Sequence, residues 1–379
     1  MSSDQRYMRL ALALGRRAQG TTHENPAVGC VIVDQHDRIV GRGFTQKGGR
    51  PHAEPMALTQ AGARAKGATV FVTLEPCAHQ GQTPPCADAL IEAGVAKVVA
   101  AQSDLDPRVN GAGFAKLRAA GIEVTTGVLE HEAQRDLAGF NSRNARGRPF
   151  LTLKLATSLD GRIATGSGES QWITGPLARK RVHLLRAKND AILIGGGTAR
   201  DDDPSLTVRG FNLGRAPIRV VASRKLDLLE TSNLARTARE TPLWVCHGPD
   251  VLEERHARWS ALGALLLEVP LAGQQLDAQE MLIALGRQGV NTVLCEGGGM
   301  LAASLLHADL VDRIQWVTAG MALGAEGRPG VGPLGLDRLE QAQRFEFAGA
   351  SQWGQDLMHV WERRNVYSAM ETPEPPNAA

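Results

Sequence analysis

The stretches Pro51-His52-Ala53-Glu54-Pro55 and Glu75-Pro76-Cys77-Ala78-His79-Gln80-Gly81-Gln82-Thr83-Pro84-Pro85-Cys86 decide how the first half of this chain folds. They bring together an imidazole, two thiols and a carboxylate. Zinc prefers thiolate and imidazole ligands in tetrahedral geometry, and a catalytic zinc site leaves its fourth position to water. We therefore predict that His52, Cys77 and Cys86 bind one zinc ion.

Glu54 supplies the carboxylate of this set. A carboxylate beside zinc-activated water, but not on the metal, can carry the proton of that water to a leaving group. The order His-x-Glu followed by Pro-Cys-x-x-Cys is typical of zinc deaminases. Here the two cysteines are nine positions apart rather than three. Gly81, Pro84 and Pro85 in the insert predict a loop with a fixed path that also reaches into the pocket.

Two other interpretations of these residues stay open. Free cysteine is often buried for packing alone, so the thiols could be core residues and His52 a surface residue. A structural zinc site is usually closed by four protein ligands, and His79 could be the fourth. The succession of His-Ala-Glu, Glu-Pro-Cys and Pro-Pro-Cys at expected element edges favours the metal site.

Length and composition limit the class of protein. The 379 residues favour two domains. A formal net charge of +2 gives no electrostatic case for a nucleic-acid partner. Five cysteines, two of them assigned to metal, do not make a disulfide framework, so we expect a cytoplasmic protein. We find no apolar run that could cross a bilayer and no signal peptide, so we expect no membrane partner.

Strand and helix patterns alternate through the first half, which predicts an α/β domain with helices on both faces of a sheet. The helix expected from residue 53 places Glu54 at its positive end, which favours the carboxylate. The helix expected from residue 85 places Cys86 in its first turn, where a thiol loses its proton more readily. The expected helices span 5–19, 53–65 and 85–93, and the expected strands span 28–33, 38–44, 68–74 and 96–101.

Asn25 and Asp104 are candidate substrate contacts in this half. The Asn25 amide both donates and accepts hydrogen bonds, which suits a polar heterocycle, but Asn25-Pro26 is equally a turn former. Asp104 follows a predicted strand at its carboxyl end, where ligands bind in α/β sheets. Capping of the next turn is the alternative for Asp104.

A polar, basic stretch over 141–148 predicts a domain boundary. It gives domains of 1–146 and 147–366, with a tail over 367–379 that we expect to be disordered. A second α/β alternation follows, with strands expected over 150–156, 191–194, 217–222 and 291–295. Lys154 alternates with leucines in the first of these strands, so we expect its side chain to face a cleft.

Two glycine turns in the second half, Gly195-Gly196-Gly197-Thr198 and Glu296-Gly297-Gly298-Gly299, follow predicted strands. Such turns expose backbone N–H groups that bind phosphate, although a tight turn without ligand is as common. Ser223-Arg224-Lys225 ends another strand, and a hydroxyl with basic neighbours suits the 2′-phosphate of NADP. A solvated basic loop is the alternative there. Three adjacent acids, Asp201 to Asp203, are more often a solvated turn than a substrate site.

Taken together, these motifs resemble those of the family of bifunctional riboflavin-biosynthesis deaminase/reductases. The likeness covers nearly the whole chain up to about residue 365. Its motifs are Thr22-His23-Glu24-Asn25-Pro26 with Val28-Gly29-Cys30, His52-Ala53-Glu54, Glu75-Pro76-Cys77 through Cys86, Lys154 through Gly161, Gly168 through Thr174, Asp202-Asp203-Pro204 with Leu206-Thr207-Val208-Arg209, and Glu296-Gly297-Gly298. A deaminase half alone is ambiguous among zinc deaminases, whereas the two halves in this order are highly specific.

The resemblance implies a cytidine-deaminase-like α/β/α domain followed by a dihydrofolate-reductase-like α/β domain. It implies zinc-dependent deamination of 2,5-diamino-6-(5-phosphoribosylamino)pyrimidin-4(3H)-one, and then NADPH-dependent reduction of the ribosyl side chain to ribityl. We expect Lys154, Asp202 and Glu296 to orient the open sugar and to handle its protons. The implied NADP contacts are Ala156, Trp172, Thr198, Asp202, Ser223, Gly298 and Gly299. The implied substrate contacts are Ser170, Arg186, Leu206, Arg209 and Glu296, beside Asn25, His79 and Asp104 in the first half.

Two departures from the family pattern occur. The family often has Pro where Glu24 lies, and Lys or Arg where Gln82 lies. Gln82 offers no cation to the ribose phosphate, so His79 or another basic group has to compensate. A nucleic-acid deaminase is the rival function, but the chain lacks a basic surface interleaved with aromatic residues. We expect a homo-oligomer, a dimer or a tetramer, although the sequence does not give the oligomeric state.

Overall fold

The computed structural model describes residues 2–81, 83–211 and 215–367. The chain divides into two compact units, Met1–Gly147 with Tyr367–Ala379, and Arg148–Val366. The prediction of disorder is wrong for Tyr367, because this side chain is buried and its ring meets His131 edge-on at 5.4 Å. The rest of the predicted tail, 368–379, lies outside the described residues. None of the helices described is both long and apolar enough to cross a membrane.

The first unit alternates strands and helices as predicted. Its helices are α1 (Ser3–Gly15), α2 (Ala53–Ala61), α3 (Cys86–Glu92), α4 (Ala112–Ala119), α5 (Glu130–Asp136) and α6 (Ala138–Arg146). Its strands are β1 (Gly29–Val33), β2 (Ile39–Phe44), β3 (Thr69–Val72), β4 (Lys97–Ala100) and β5 (Glu123–Thr125).

These strands form one sheet in the order β2-β1-β3-β4-β5, in which β1 is antiparallel to both neighbours and the remaining pairs are parallel. Successive side chains of a strand point to opposite faces. Cys30 and Ile32 of β1 therefore pack in an apolar cluster with α2, α3 and α4, whereas Val31 and Val33 pack with α1 on the other face. Helices cover both faces, as the sequence predicted.

Helix α1 ends four residues before the end that apolar periodicity predicted. Its backbone lies directly on β1, since a Cβ on Gly29 would sit 1.9 Å from the Ala11 carbonyl oxygen. Gly15 faces the same contact, because its Cβ would lie 2.8 Å from the Ala27 carbonyl oxygen. The chain leaves the helix at this contact and continues in turns over 16–20.

The second unit is larger and has its own cores. Its helices are α7 (Pro176–Ala187), α8 (Gly196–Asp202), α9 (Asn233–Arg236), α10 (Glu253–Ala261), α11 (Ala278–Arg287) and α12 (Gly299–His307). Its strands are β6 (Phe150–Thr157), β7 (Arg162–Ala164), β8 (Ala191–Gly195), β9 (Ile218–Ala222), β10 (Leu243–His247), β11 (Leu265–Glu268), β12 (Leu271–Ala272), β13 (Gln275–Leu276), β14 (Thr292–Cys295), β15 (Arg313–Thr318), β16 (Arg328–Pro329), β17 (Phe345–Trp353) and β18 (Asp356–Arg363).

Nine of these strands form a sheet in the order β11-β10-β9-β8-β14-β6-β15-β18-β17. The strands from β11 to β15 in this order are parallel, and β18 and β17 extend the edge in antiparallel pairing. Leu193 packs in the apolar cluster on one face, and its neighbours Ile192 and Ile194 pack in the cluster on the other. Because β6, β8 and β14 are parallel neighbours, their carboxyl ends lie at the same edge, where α/β sheets bind ligands.

Candidate active sites of the two units

His52, Cys77 and Cys86 form a compact cluster in the first unit. The His52 Nδ1 atom lies 3.3 Å from Cys86 Sγ and 3.8 Å from Cys77 Sγ. Tetrahedral zinc, with its usual bond lengths to nitrogen and sulfur, holds such atoms about 3.6 Å apart. Within the described ranges this is the only group of three or more His, Cys, Asp or Glu side chains whose ligand atoms come close enough to share an ion. The donor set therefore fits zinc.

Three elements bring these ligands together. His52 is the N-cap residue of α2, Cys86 is the first residue of α3, and Cys77 follows β3. The Cys86 backbone N–H donates to Cys77 Sγ at 3.3 Å, which ties the start of α3 to the loop. His79 is not a member of the cluster, so the described residues supply three ligands rather than four. Three protein ligands are typical of catalytic zinc sites and not of structural ones.

The two thiols share one proton when the three side chains are considered by themselves. The hydrogen bond from the Cys86 thiol lowers the pKa of Cys77, and the same bond, with burial, raises the pKa of Cys86. The expectation that the helix N-terminus acidifies Cys86 as a metal ligand stays a prediction. The start of α3 does point N–H groups at sulfur, but the N–H of Cys86 donates to Cys77 and stabilises the thiolate there.

Glu54 lies in the first turn of α2 and is only 3% exposed. Burial raises the pKa of Glu54 to about 7, with a smaller contribution from the Cys77 thiolate. This corrects the expectation that the helix dipole would favour the carboxylate, because loss of hydration is the larger effect here. A carboxyl group that titrates near neutral pH is suited to accept a proton and then release it.

A cavity of about 470 Å³ opens onto this cluster. Asn25, His79 and Asp104 line it together with His52, Glu54 and Cys77. All the residues predicted for the first half are therefore in one place, with Cys86 buried behind the cavity wall.

The polar candidates in this cavity also have structural roles. The Asn25 carbonyl oxygen accepts a hydrogen bond from the Thr22 hydroxyl at 2.8 Å, so Asn25 forms a turn as well as lining the cavity. The Asp104 carboxylate accepts the Asp106 N–H at 2.8 Å, which is the predicted turn cap, and burial raises the pKa of Asp104 to about 7. His79 Nδ1 is buried without a hydrogen-bond partner among the described residues, so it is available to a ligand.

Sequence reasoning missed several residues of this wall. Buried Glu75 accepts the backbone N–H groups of Asp104, Gly111, Gly113 and Phe114 at 2.9–3.2 Å, and so holds the loop that carries Asp104. The sequence did offer one indication of this role, since Glu75 directly precedes Pro76 and the zinc ligand Cys77.

Arg143 also lines the cavity. Its polar, basic segment predicted a domain boundary. The segment forms most of α6, which ends at Arg146, just before the first unit ends at Gly147. Gln82, which stands where the family often has a lysine or arginine, lies outside the described residues.

In the second unit a cavity of about 870 Å³ lies at the carboxyl ends of β6, β8 and β14. The predicted residues that line it are Lys154, Ala156, Ser170, Thr198, Asp202, Glu296, Gly298 and Gly299. Lys154 thus faces the cleft that strand alternation predicted.

Two charged side chains that line this cavity, Lys154 and Glu296, interact with each other and with Arg186 behind them. Arg186 donates from Nε and Nη2 to the two carboxylate oxygens of Glu296, at 2.6 and 3.1 Å. Burial by itself favours the neutral carboxyl, yet Arg186 holds the pKa of Glu296 below its usual range. Burial lowers the pKa of Lys154, with only partial compensation from Glu296. The site therefore holds a fixed carboxylate beside an amine that gives up its proton more readily than usual.

The glycine turns allow a ligand to approach the backbone. A Cβ on Gly297 would lie 2.5 Å from Ile194 Cα, so only glycine fits between β8 and β14. Gly298, at φ 51°, leads into α12, whose first residues, Gly299 and Met300, line the cavity. The first N–H groups of a helix have no partner within it and can bind phosphate. A neighbouring cavity of about 570 Å³ contains Ser223 and shares Gly195 and Gly197 with the larger one. The two cavities share part of their glycine lining, which lets a dinucleotide approach the backbone closely.

Some predicted contacts lie away from the larger cavity. Trp172 is 64% exposed beneath the Arg179 guanidinium, and Leu206 is buried in an apolar cluster. Arg209 is exposed, and its backbone N–H donates to His183. Arg186 reaches the cavity only through Glu296. The assignments of Trp172, Leu206 and Arg209 stay predictions.

Comparisons with known proteins identify the kind of domain that each unit is. A family model described as the cytidine and deoxycytidylate deaminase zinc-binding region matches residues 1–102, and one described as the RibD C-terminal domain matches residues 149–359. The predicted order of a deaminase domain and a reductase domain is thereby confirmed. The riboflavin biosynthesis protein RibD of Escherichia coli (strain K12) is 43% identical over 366 residues, which cover 93% of this chain and 98% of that protein.

Two solved structures are also similar. Acinetobacter baumannii RibD, form 1, has a TM-score of 0.86 at 37% identity and covers 95% of this chain and 98% of its own. A diaminohydroxyphosphoribosylaminopyrimidine deaminase/5-amino-6-(5-phosphoribosylamino)uracil reductase from Thermotoga maritima has a TM-score of 0.81 at 31% identity and covers 95% and 99%. This chain therefore belongs to the RibD family of bifunctional riboflavin biosynthesis enzymes, which join a zinc-binding deaminase domain to a reductase domain that uses NADPH.

Proposed function

We propose that the first unit deaminates 2,5-diamino-6-(5-phosphoribosylamino)pyrimidin-4(3H)-one at its 2-amino group. We propose that the second unit then reduces the ribosyl side chain of 5-amino-6-(5-phosphoribosylamino)uracil to ribityl. The observation that carries the proposal is the His52, Cys77 and Cys86 cluster, with Glu54 beside it on the wall of one cavity. The name printed for the Thermotoga maritima relative, which combines the same two activities, supports the choice of substrates.

In the deaminase site, His52, Cys77 and Cys86 would hold the metal. A zinc ion bound there supplies water that is acidic enough to lose a proton near neutral pH. Glu54 accepts one proton of that water and passes it to the ring nitrogen, which keeps it. Glu54 then carries the remaining proton of the added hydroxyl to the departing amine, so that water and the amino group end as a carbonyl oxygen and ammonia. Asn25, His79 and Asp104 orient the pyrimidine.

In the reductase site, Ala156, Trp172, Thr198, Asp202, Ser223, Gly298 and Gly299 would contact NADPH. The cofactor supplies the hydride that the C1 carbon of the opened sugar accepts. Glu296 stays a carboxylate because Arg186 is paired to it, so it orients hydroxyl groups rather than donating a proton. Lys154, whose pKa is lowered by burial, is the better proton donor to the sugar oxygen. Ser170, Leu206 and Arg209 complete the substrate contacts.

The test follows ammonia and nicotinamide absorbance together, with the diamino-pyrimidine nucleotide as substrate. Ammonia release without NADPH, and NADPH oxidation only after deamination, are expected. Glu54→Gln should keep its zinc and its reductase activity on pre-deaminated substrate, while ammonia release falls by about 10²–10⁴-fold. Glu92→Gln, on the exposed side of α3, is the matched control. Ammonia release from RNA but not from the nucleotide would favour a nucleic-acid deaminase instead.

We also propose that the protein works in the cytoplasm as a homo-oligomer, a dimer or a tetramer. All five cysteines are unpaired, which suits a reducing compartment. Phe347 of β17 and Leu357 of β18 are 60% and 50% exposed at the edge of the nine-stranded sheet, where a second copy could cover them. Light scattering on the purified chain tests this, and a monomer at micromolar concentration contradicts it.

A further inference from the structure

The deaminase cavity has to accommodate a phosphate group if its substrate is a phosphoribosyl compound. The loop between the two metal-binding cysteines, Ala78 to Pro85, contains no Lys or Arg. The basic group of this loop, His79, is assigned above to the pyrimidine ring. A lysine or arginine for the phosphate therefore has to come from another segment. Three arginines line the cavity, namely Arg50, Arg108 and Arg143.

Two of these arginines are already engaged. Arg108 donates from Nε to both carboxylate oxygens of Asp106, at 2.9 and 3.1 Å, and forms a salt bridge with it. Its positive charge is therefore largely neutralised by a neighbour two residues away. Arg143 donates from Nη2 to the Glu24 carbonyl oxygen at 2.9 Å, which fixes its guanidinium on the backbone.

Arg50 differs from Arg108 because it has no carboxylate partner among the described residues, and from Arg143 because it bonds a side chain of the loop between the two cysteines rather than a backbone carbonyl. Its Nη1 donates to the hydroxyl of Thr83 at 2.8 Å, a neutral partner. Its Nη2 lies against the loop backbone, since a Cβ on Gly81 would be 3.2 Å from it. No carboxylate lies within ion-pair distance of Arg50 among residues 2–81, 83–211 and 215–367. Arg50 is half-buried as a residue, and its bond to Thr83 lies at the exposed side of the cavity, where a phosphate group could reach the guanidinium.

We infer that Arg50 binds the phosphate of the deaminase substrate. An arginine fork matches phosphate oxygens at two points, and the Thr83 hydroxyl holds one arm of the fork in place. Arg50 directly precedes Pro51-His52-Ala53-Glu54, so the segment that carries a zinc ligand and the proton carrier would also carry the phosphate anchor. This inference rests on the proposed deaminase function, and it makes Arg50 a binding residue that discriminates phosphorylated from unphosphorylated substrates.

The test compares the diamino-pyrimidine ribonucleotide with its phosphate-free ribosyl analogue, using the full-length zinc-loaded protein. In Arg50→Gln the KM for the nucleotide should rise by about 10- to 100-fold, because a charge-assisted bond is lost. Its kcat and its KM for the analogue should stay within about two-fold of the parent. Arg50→Lys should recover part of the nucleotide affinity, and Thr83→Val should give a smaller rise in KM. Inorganic phosphate, as a competitive inhibitor, should lose affinity in parallel.

Arg42→Gln, an exposed arginine on β2 outside the cavity, is the matched control. Zinc content should be the same in all these variants. If Arg50→Gln keeps the parent's preference for the nucleotide, or if Arg143→Gln loses that preference instead, the inference is overturned while the deaminase function stands. If the parent itself releases no ammonia from the nucleotide, the proposed function fails first.

Discussion

Arg186 and Glu296 form a two-point ion pair at the floor of the reductase cavity, with Nε to Oε1 at 2.6 Å and Nη2 to Oε2 at 3.1 Å. Both side chains are largely removed from solvent, at 17% and 8% exposure. A buried carboxylate is stable only when such a partner compensates for its lost hydration. The pair therefore fixes the charge state of Glu296.

Removing one partner should destabilise the second unit strongly. We expect Arg186→Met to lower its free energy of unfolding by about 3–5 kcal/mol, because buried Glu296 loses its hydrogen-bonded counter-charge and keeps only the weaker attraction of Lys154. The pKa of Glu296 should rise at the same time. The loss of free energy of unfolding is measured by denaturant titration, from the unfolding transition of the second unit.

Arg258→Met is the control, since Arg258 and Glu230 are 49% and 43% exposed and such a pair contributes less than about 1 kcal/mol. Equal losses in the two variants would mean that the Arg186 pair has no special role.

Zinc binding should depend on Cys77, which belongs to the ligand cluster, and not on a cysteine outside the cluster. Cys77→Ser is expected to lose both its bound zinc and its ammonia release. Only His52 and Cys86 would remain as ligands, because zinc binds thiolate sulfur in preference to a serine hydroxyl. NADPH oxidation with pre-deaminated substrate should continue. Metal analysis of purified protein is the measurement. Cys246→Ala, a buried thiol in β10 of the second unit, should keep a full complement of zinc. Retention of zinc by Cys77→Ser would remove Cys77 from the ligand set.

The pH dependence of stability should report the burial of Lys154. Burial lowers the pKa of Lys154 below its ordinary value of 10.5. Between these two values the unfolded chain binds more protons than the folded chain, so stability rises with pH across that window. At pH values below the pKa of Lys154 in the folded protein, this side chain is charged in both states, and its burial lowers the free energy of unfolding by the full amount. Lys154→Met removes this cost, so its stability relative to the parent should be greatest at pH values below the folded pKa and should decline as the pH approaches 10.5. Unfolding free energies measured at several pH values test this, and a constant difference contradicts it.

The Glu75 carboxylate should control the mobility of the loop that carries Asp104. Glu75→Gln replaces a carboxylate oxygen with an NH₂ group that faces backbone N–H donors, so about 1–3 kcal/mol of local stability should be lost. Hydrogen exchange of the Gly111, Gly113 and Phe114 amides should become faster. The amide of Leu117, inside α4, should change less. Unchanged exchange at Gly113 would show that the loop is held by other contacts.

The sequence by itself determined which residue types form each candidate site. His52, Cys77 and Cys86 were identified because zinc selects few residue types, and strand and helix periodicity placed each one at an element edge. Lys154 was assigned to a cleft because side chains alternate along a strand. These inferences depend on local patterns, which one chain carries in full.

Only the tertiary structure decided the electrostatics and the second layer of each site. Burial, not the helix dipole, sets the pKa of Glu54, and the Cys77 partner sets the proton position on Cys86. Glu75, Arg50 and Arg143 come to the deaminase cavity from segments far apart in sequence, and no local pattern records that they meet. Hydration and charge pairing depend on which groups are neighbours in space, so they are fixed only when the chain has folded.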